Sequence, residues 1–266
     1  MDQHLVQTGL FVSRARARAA IDAGLVLVDG VAGRPATPVS AATRVDVLGD
    51  PVPFAGRGGV KLAHALDAFG VAAAGKVCLD VGAATGGFTD CLLRKGAAFV
   101  HAVDVGRGQF LLRLAQDARV SLREGTDIRL LPPGGLSPVP SLATVDVSFI
   151  GACLVLPAVR GLVTTEGSAE LVVLVKPQFE LGPGGTKRGI VRDPQGHCQA
   201  ILGVCRCAEG LGLSPVDLTY SPVAGGSGNL EFFLYLRSAG RGTLHPGRVE
   251  EVVLMAKERL SPAANR

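Results

Sequence analysis

Four side chains in this chain of 266 residues have the types and neighbours to move a proton: Lys61, Asp146, Lys176 and Glu231. Lys176 ends the apolar run Leu171-Val-Val-Leu-Val175, and Asp146 follows Ala143-Thr-Val145. A cation that ends a fully apolar strand is costly unless it is paired or put to use. One reading of Asp146 and Lys176 is therefore a structural ion pair at neighbouring strand ends. Adding Lys61, after Arg57-Gly-Gly-Val60, and Glu231, in Gly228-Asn-Leu-Glu231-Phe232, makes a Lys–Asp–Lys–Glu set instead. Such a set suits removal of a proton from a poor nucleophile such as an alcohol, because a lysine with lowered pKa is a general base. A second cation and desolvation lower that pKa, whereas Asp146 opposes the shift by favouring the charged form. In this reading Lys176 is the base, Asp146 orients it, Lys61 acidifies the hydroxyl and Glu231 holds Lys61. Which lysine takes the proton stays open. Lys61 falls in the first turn of a helix expected over 60–69, where the helix dipole disfavours a cation and hints at another use.

The elements that must carry these residues begin at Gly75-Lys-Val-Cys-Leu-Asp-Val-Gly-Ala-Ala-Thr-Gly-Gly-Phe-Thr89. A short apolar strand ends on Asp80, a glycine-rich turn follows, and a helix opens at Phe88. That order starts a doubly wound sheet with a nucleotide-like ligand at its strand ends. A second strand, 99–103, ends on Asp104, placed for two ribose hydroxyls, and Thr126-Asp127-Ile128 offers an acid to an adenine amino group. A dinucleotide fingerprint needs Gly-x-Gly-x-x-Gly, but Ala84 takes the second glycine position and Asp80 would repel a pyrophosphate. S-adenosylmethionine, with its positive amino group, fits better; NAD and a turn without ligand remain alternatives. The expected cofactor set is Asp80, Gly82, Ala83, Thr85, Gly86, Gly87, Phe88, Asp104, Val105, Asp127 and Ile128, the glycines admitting the ligand because they lack a Cβ. A bound sulfonium methyl beside the four ionisable residues would suit methylation of a ribose 2′-hydroxyl.

A net charge of +4 is compatible with a nucleic-acid partner without demonstrating one. The six cysteines show no Cys-x-x-Cys pairing and no zinc spacing with histidine, so they read as buried reduced thiols, no metal is expected, and the cytoplasm is the expected compartment. The first residues lack a signal-peptide pattern, and no apolar stretch reaches the ~20 residues that span a bilayer.

Along the chain, residues 1–50 form a separate small unit. A helix is expected from Asp2 to Gly9, and a second over 14–23, capped by Ser13 and ended by Gly24. A strand follows, with Asp29-Gly30 as a hairpin turn, and another strand lies over 44–48. Arg14 and Arg18 share a helix face with Arg16 beside them, and they could grip a phosphate backbone or simply be solvated. A Pro/Gly linker is expected over 51–59, a sheet domain over 60–240, and a C-terminal extension over 241–266 with an amphipathic helix at 245–260. Strands alternating with helices argue for a mostly parallel sheet.

The opening order of features, Gly9-Leu10, Ser13-Arg14, Ala19-Ala20-Ile21, Ala23-Gly24-Leu25-Val26 and Val28-Asp29-Gly30, resembles the S4 RNA-binding domain. The longer combination resembles the TlyA family of ribosomal RNA 2′-O-methyltransferases. Its pieces are Arg57-Gly-Gly-Val-Lys61-Leu, Asp80-Val-Gly-Ala-Ala-Thr-Gly-Gly-Phe, Ala102-Val-Asp-Val-Gly-Arg-Gly-Gln109, Asp146-Val-Ser-Phe-Ile150, Val175-Lys-Pro-Gln-Phe-Glu180, Gly189-Ile-Val-Arg-Asp-Pro194 with His197, and Gly228-Asn-Leu-Glu-Phe232. The resemblance implies a Rossmann-like class I methyltransferase of seven strands, an FtsJ-like domain behind a small α+β S4 domain. It also implies S-adenosylmethionine as donor and cytidine ribose in 16S or 23S ribosomal RNA, or both, as acceptor. Lys61, Asp146, Lys176 and Glu231 then occupy the catalytic tetrad, while Arg14, Arg16, Arg18 and Arg57 face RNA. Two other readings stand beside it: a non-catalytic ribosome-assembly factor, and a membrane-active haemolysin, a label the family often carries.

Overall fold

The computed structural model describes all residues except 12, 23, 41–42, 49–53, 183–184, 187–188, 226–227, 241, 243 and 261–266. The chain divides into two compact units, 1–53 and 54–266. Ala23, residues 51–53 of the expected linker and 261–266 of the expected extension thus lie outside the described residues.

The first unit holds α1 (Asp2–Gln7), α2 (Arg14–Asp22), β1 (Val26–Val28), β2 (Val31–Ala32) and β3 (Val45–Val47), with strand order β2-β1-β3. Ser13 caps α2 by accepting the Arg16 N–H at 3.3 Å. Asp29 and Gly30 both take positive φ, 49° and 81°, as a tight antiparallel turn requires. Leu5, Phe11, Ala17, Ala20, Ile21 and Val26 form its buried apolar cluster, a small core for so short a unit. Arg14 and Arg18 are exposed and paired with Asp2 and Asp22; Arg16 is half-buried.

The second unit runs α3 (Arg57–Phe69), β4 (Val77–Val81), α4 (Gly87–Arg94), β5 (Phe99–Asp104), α5 (Leu112–Ala115), β6 (Val120–Glu124), β7 (Leu142–Val145) and α6 (Leu156–Leu162). It continues with β8 (Glu170–Val175), α7 (Pro177–Glu180), α8 (Pro194–Gly210), β9 (Ser214–Tyr220), β10 (Phe232–Arg237) and α9 (Pro246–Leu260). The seven strands pair in the order β6-β5-β4-β7-β8-β10-β9. The first five are parallel, and β10 enters antiparallel between β8 and β9. The central strands are apolar on both faces because helices cover both, as a parallel sheet requires.

Three local expectations change. First, α3 opens at Arg57, so Arg57-Gly58-Gly59 is helix and Lys61 stands a full turn inside; the dipole hint about Lys61 falls away. The glycines serve packing, since a Cβ on Gly59 would strike Phe54 and stand 2.8 Å from the Gly87 carbonyl at the start of α4. Second, Asp80 lies inside β4 and is fully buried. Third, α9 is part of the main core: Val249, Val252, Val253 and Ala256 are buried with residues of α8 and β9, because the apolar side of this helix finds its partner within the chain. Among the described residues, no helix is long and apolar enough to cross a membrane.

Candidate active site

The carboxyl ends of β4, β5, β7 and β8 lie along one edge of the sheet, where an open α/β sheet takes its ligand. Because β10 runs against β8 with Phe232 opposite Val175, the residue before β10 reaches the same edge as the residue after β8. Topology thereby brings Glu231 beside Lys176. The two lysines form separate pairs there. Lys176 Nζ stands 2.6 Å from Asp146 Oδ1 and donates to Ser148 Oγ at 2.8 Å. Lys61 Nζ donates to Glu231 Oε2 at 2.6 Å across 170 residues of sequence. The first turn of α3 also approaches the Asp146 pair, since a Cβ on Gly58 would lie 4.0 Å from Asp146 Oδ2. All four expected catalytic residues therefore gather at one edge, in two ion pairs.

A cavity of about 330 Å³ opens beside them, in the lower part of the ~300–1,000 Å³ range of small-molecule sites. Gly82, Asp104, Val105, Asp127 and Ile128 of the expected cofactor set line it, with Asp146 of the catalytic set. The Asp104 carboxylate accepts the backbone N–H of Ala84 at 2.7 Å and of Gly106 at 2.6 Å, one on each oxygen. A carboxylate offers about four lone-pair sites, so both oxygens keep capacity for ribose hydroxyls. Asp127 caps the short turn 128–130 through the Arg129 N–H, and the Arg129 guanidinium grips its carboxylate, which holds it below the usual carboxylate range.

Other members of the expected cofactor set lie outside the lining. Asp80 is fully buried and accepts the Thr89 hydroxyl at 2.6 Å, with the Thr144 hydroxyl 3.4 Å from its other oxygen. Burial, with Asp146 nearby, pushes its carboxyl up to about 7, and its hydroxyl partners tie β4 to α4 and β7. Ala83 and Phe88 are core residues, and Thr85 sits against Gly56. Gly86 and Gly87 are bare for the protein's own packing: a Cβ on Gly86 would stand 2.6 Å from Leu114, and one on Gly87 3.1 Å from the Gly59 nitrogen. Even Gly82, which lines the cavity at φ 86°, is required by the approach of the Asp146 backbone.

Sequence reasoning missed Gln109, Ser148 and Phe149, which also line the cavity. Glu124 Oε1 accepts the N–H groups of Gln109 and Phe110 at 3.3 and 3.4 Å and so fixes that loop. Phe149 is 88% exposed at φ 68°, a left-handed conformation unusual for an aromatic residue. Its position three residues after a strand-end aspartate was the available signal. Among the described residues, no cluster of potential metal ligands occurs.

A seven-stranded sheet with its last strand reversed, an acid at the end of β5 and a cavity over the parallel edge define a class I S-adenosylmethionine-dependent methyltransferase. The family pattern of the FtsJ-like methyltransferases matches residues 54–238. The chain is 44% identical over 256 residues to the Mycobacterium tuberculosis protein named 16S/23S rRNA (cytidine-2'-O)-methyltransferase TlyA, spanning 95% of each chain. It is 34% identical over 239 residues to Hemolysin A of Brachyspira hyodysenteriae, covering 88% of this chain and 98% of that one. A solved structure from Streptococcus thermophilus, titled as a hemolysin, superposes with a TM-score of 0.79 at 34% identity and covers 100% of this chain and 98% of its own. The chain belongs to the FtsJ-like methyltransferase family, in its TlyA group.

Proposed function

We propose that this protein transfers a methyl group from S-adenosylmethionine to the ribose 2′-hydroxyl of cytidine in ribosomal RNA. The observation that carries the reading is the pair of lysine–carboxylate contacts, Lys176–Asp146 and Lys61–Glu231, both 2.6 Å long and both at the edge that bears the cavity. The residues present fit the cofactor: Asp104 for the ribose hydroxyls, with Val105 and Ile128 as apolar walls for the adenine. When bound, the cofactor supplies an electrophilic methyl on a positively charged sulfur. The chain's part is to hold and deprotonate the acceptor. Lys176 takes the hydroxyl proton at Nζ, with Asp146 and Ser148 fixing the direction of its side chain. Lys61, held by Glu231, places a positive charge where negative charge develops on the oxygen. The exposed Phe149 face at the cavity mouth suits a base drawn out of its stack.

The small N-terminal unit serves as the RNA anchor in this reading. Arg14 and Arg18 are exposed on α2, where phosphate contacts give affinity and RNA shape gives selection. Arg57 is exposed at the start of α3 and is assigned to RNA as well. The compartment is the cytoplasm: Cys78 and Cys91 are free and buried, with thiols pushed up to about 12, as suits structural thiols kept reduced. A membrane-damaging role has lost its one amphipathic stretch, since the apolar side of α9 is committed to the core.

The deciding experiment is transfer of labelled methyl from S-adenosylmethionine to isolated 30S and 50S subunits, wild type beside Lys176→Ala. Label on either subunit, lost in the variant, is the expected result. No label with cofactor binding intact would favour an assembly factor.

A further inference from the structure

The turn 148–152 forms one wall of the cavity, through Ser148, Phe149 and Ile150, while Ile150 and Ala152 pack against the core beneath it. Phe149 is in the left-handed region and its ring is mostly in solvent, so the tip of this turn is strained and exposed. Its described side-chain hydrogen bonds and ring contact come from the five residues after β8. Lys176 donates to Ser148, and the Phe179 ring meets the Phe149 ring at 5.6 Å. The third contact comes from Glu180, whose Oε1 accepts the backbone N–H of Ala152 at 2.6 Å. Ala152 begins a single 3-10 turn, whose first N–H groups find no partner within the turn itself. Gly151 is bare where the carboxylate arrives, since a Cβ there would stand 2.8 Å from Glu180 Oε2 and 3.3 Å from the Phe179 carbonyl. Glu180 is half-buried, and among the described residues no cation is paired with it. Burial pushes its carboxyl above the usual range, so the site strains a group that a neutral side chain would spare.

We propose that Glu180 is a positioning residue: by holding Ala152 it locks the turn 148–152 to the end of β8 and sets Lys176 against the cofactor wall. Ser148 and Ala152 are the two ends of the strained segment, and Lys176 and Glu180 are the two ends of the segment that grips it. A lysine that moves with its own cofactor wall keeps one distance to the reacting oxygen. A lysine on a separate loop would not, and misplacement by about 1 Å costs on the order of a hundredfold in rate.

The inference rests on the methyl-transfer reading, and the test separates the two. Full-length Glu180→Ala, Glu180→Gln and Gly151→Ala are assayed with labelled S-adenosylmethionine and isolated ribosomal subunits. Turnover is expressed per cofactor site titrated with S-adenosylhomocysteine, so that a loss of folded protein does not count. Glu180→Ala is expected to lower kcat roughly 10- to 100-fold per titrated site, with KM for the subunits unchanged. Glu180→Gln keeps an acceptor for the Ala152 N–H and is expected to restore most of the rate. Gly151→Ala pushes the carboxylate away and is expected to lower kcat alone but to add nothing to Glu180→Ala. Wild-type kcat per titrated site in Glu180→Ala overturns the proposal, and so does a Gln variant as impaired as the Ala variant. A wild type that binds cofactor but methylates neither subunit brings down the methyl-transfer reading, and this inference with it.

Discussion

The two lysine–carboxylate pairs are equal in length and unequal in surroundings. Glu231 is 4% exposed and Lys61 11%, so the Lys61–Glu231 pair is closed off. Asp146 is 20% exposed and lines the cavity, and Lys176 has a second partner in Ser148. A closed pair fixes a charge in space, because neither partner has anywhere else to go. An open pair with a spare partner can lose or gain a proton without leaving a buried charge alone. In the proposed reaction the difference favours Lys176 for the proton transfer, because its counter-ion lines the cavity.

The largest expected effect is on Lys176→Ala, which should cut methyl transfer by about 10²–10⁴ while cofactor binding persists, the range for loss of a general base. Lys61→Ala should cost less in a single-turnover assay; a larger loss there would reverse the assignment. Stability sorts the pairs the other way. Glu231→Ala leaves Lys61 buried without its counter-charge and should cost about 3–5 kcal/mol in a denaturant titration. Asp146→Ala should cost less, because Lys176 keeps Ser148.

A carboxylate with hydroxyl partners but no lysine extends the comparison. Asp80 sits at about 7 in the fold against 3.8 for an unperturbed aspartate, so the folded state binds its proton more tightly than the unfolded chain does. Its stabilising contribution is therefore complete below pH ~4 and is lost as pH rises through about 7. Asp80→Asn should match wild type near pH 4 and exceed it near pH 8 by up to ~4 kcal/mol, read as Tm against pH. The smallest effects belong to the exposed pairs of α2. Arg14→Ala with Arg18→Ala should move stability by less than ~1 kcal/mol, yet weaken RNA binding and flatten its log–log salt dependence by up to about 2.

The site was legible where strand ends carry charge. Asp104, Asp146 and Lys176 each follow an apolar run, and that pattern alone orders them along one edge. Glu231 was named as the partner of Lys61 with no local pattern to place it there, because its position depends on β10 entering in reverse. The glycines are ambiguous for a related reason. Gly82, Gly86 and Gly87 satisfy the rule that a ligand needs bare backbone, but so does any close approach of one protein segment to another. Sequence cannot tell which neighbour a missing Cβ makes room for. The same limit hid the true start of α3, where Gly58-Gly59 reads as linker and packs as helix. Phe149 escaped because exposure of an aromatic side chain is a tertiary property.

The reversed β10 has a consequence for assembly in time. Ribosomal synthesis delivers Lys61 early and Glu231 late, and 170 positions separate the two partners. Until β10 inserts between β8 and β9, Lys61 lacks its counter-ion. The complete charge arrangement of the site is therefore a property of the finished fold, closed only when one late strand has taken its place.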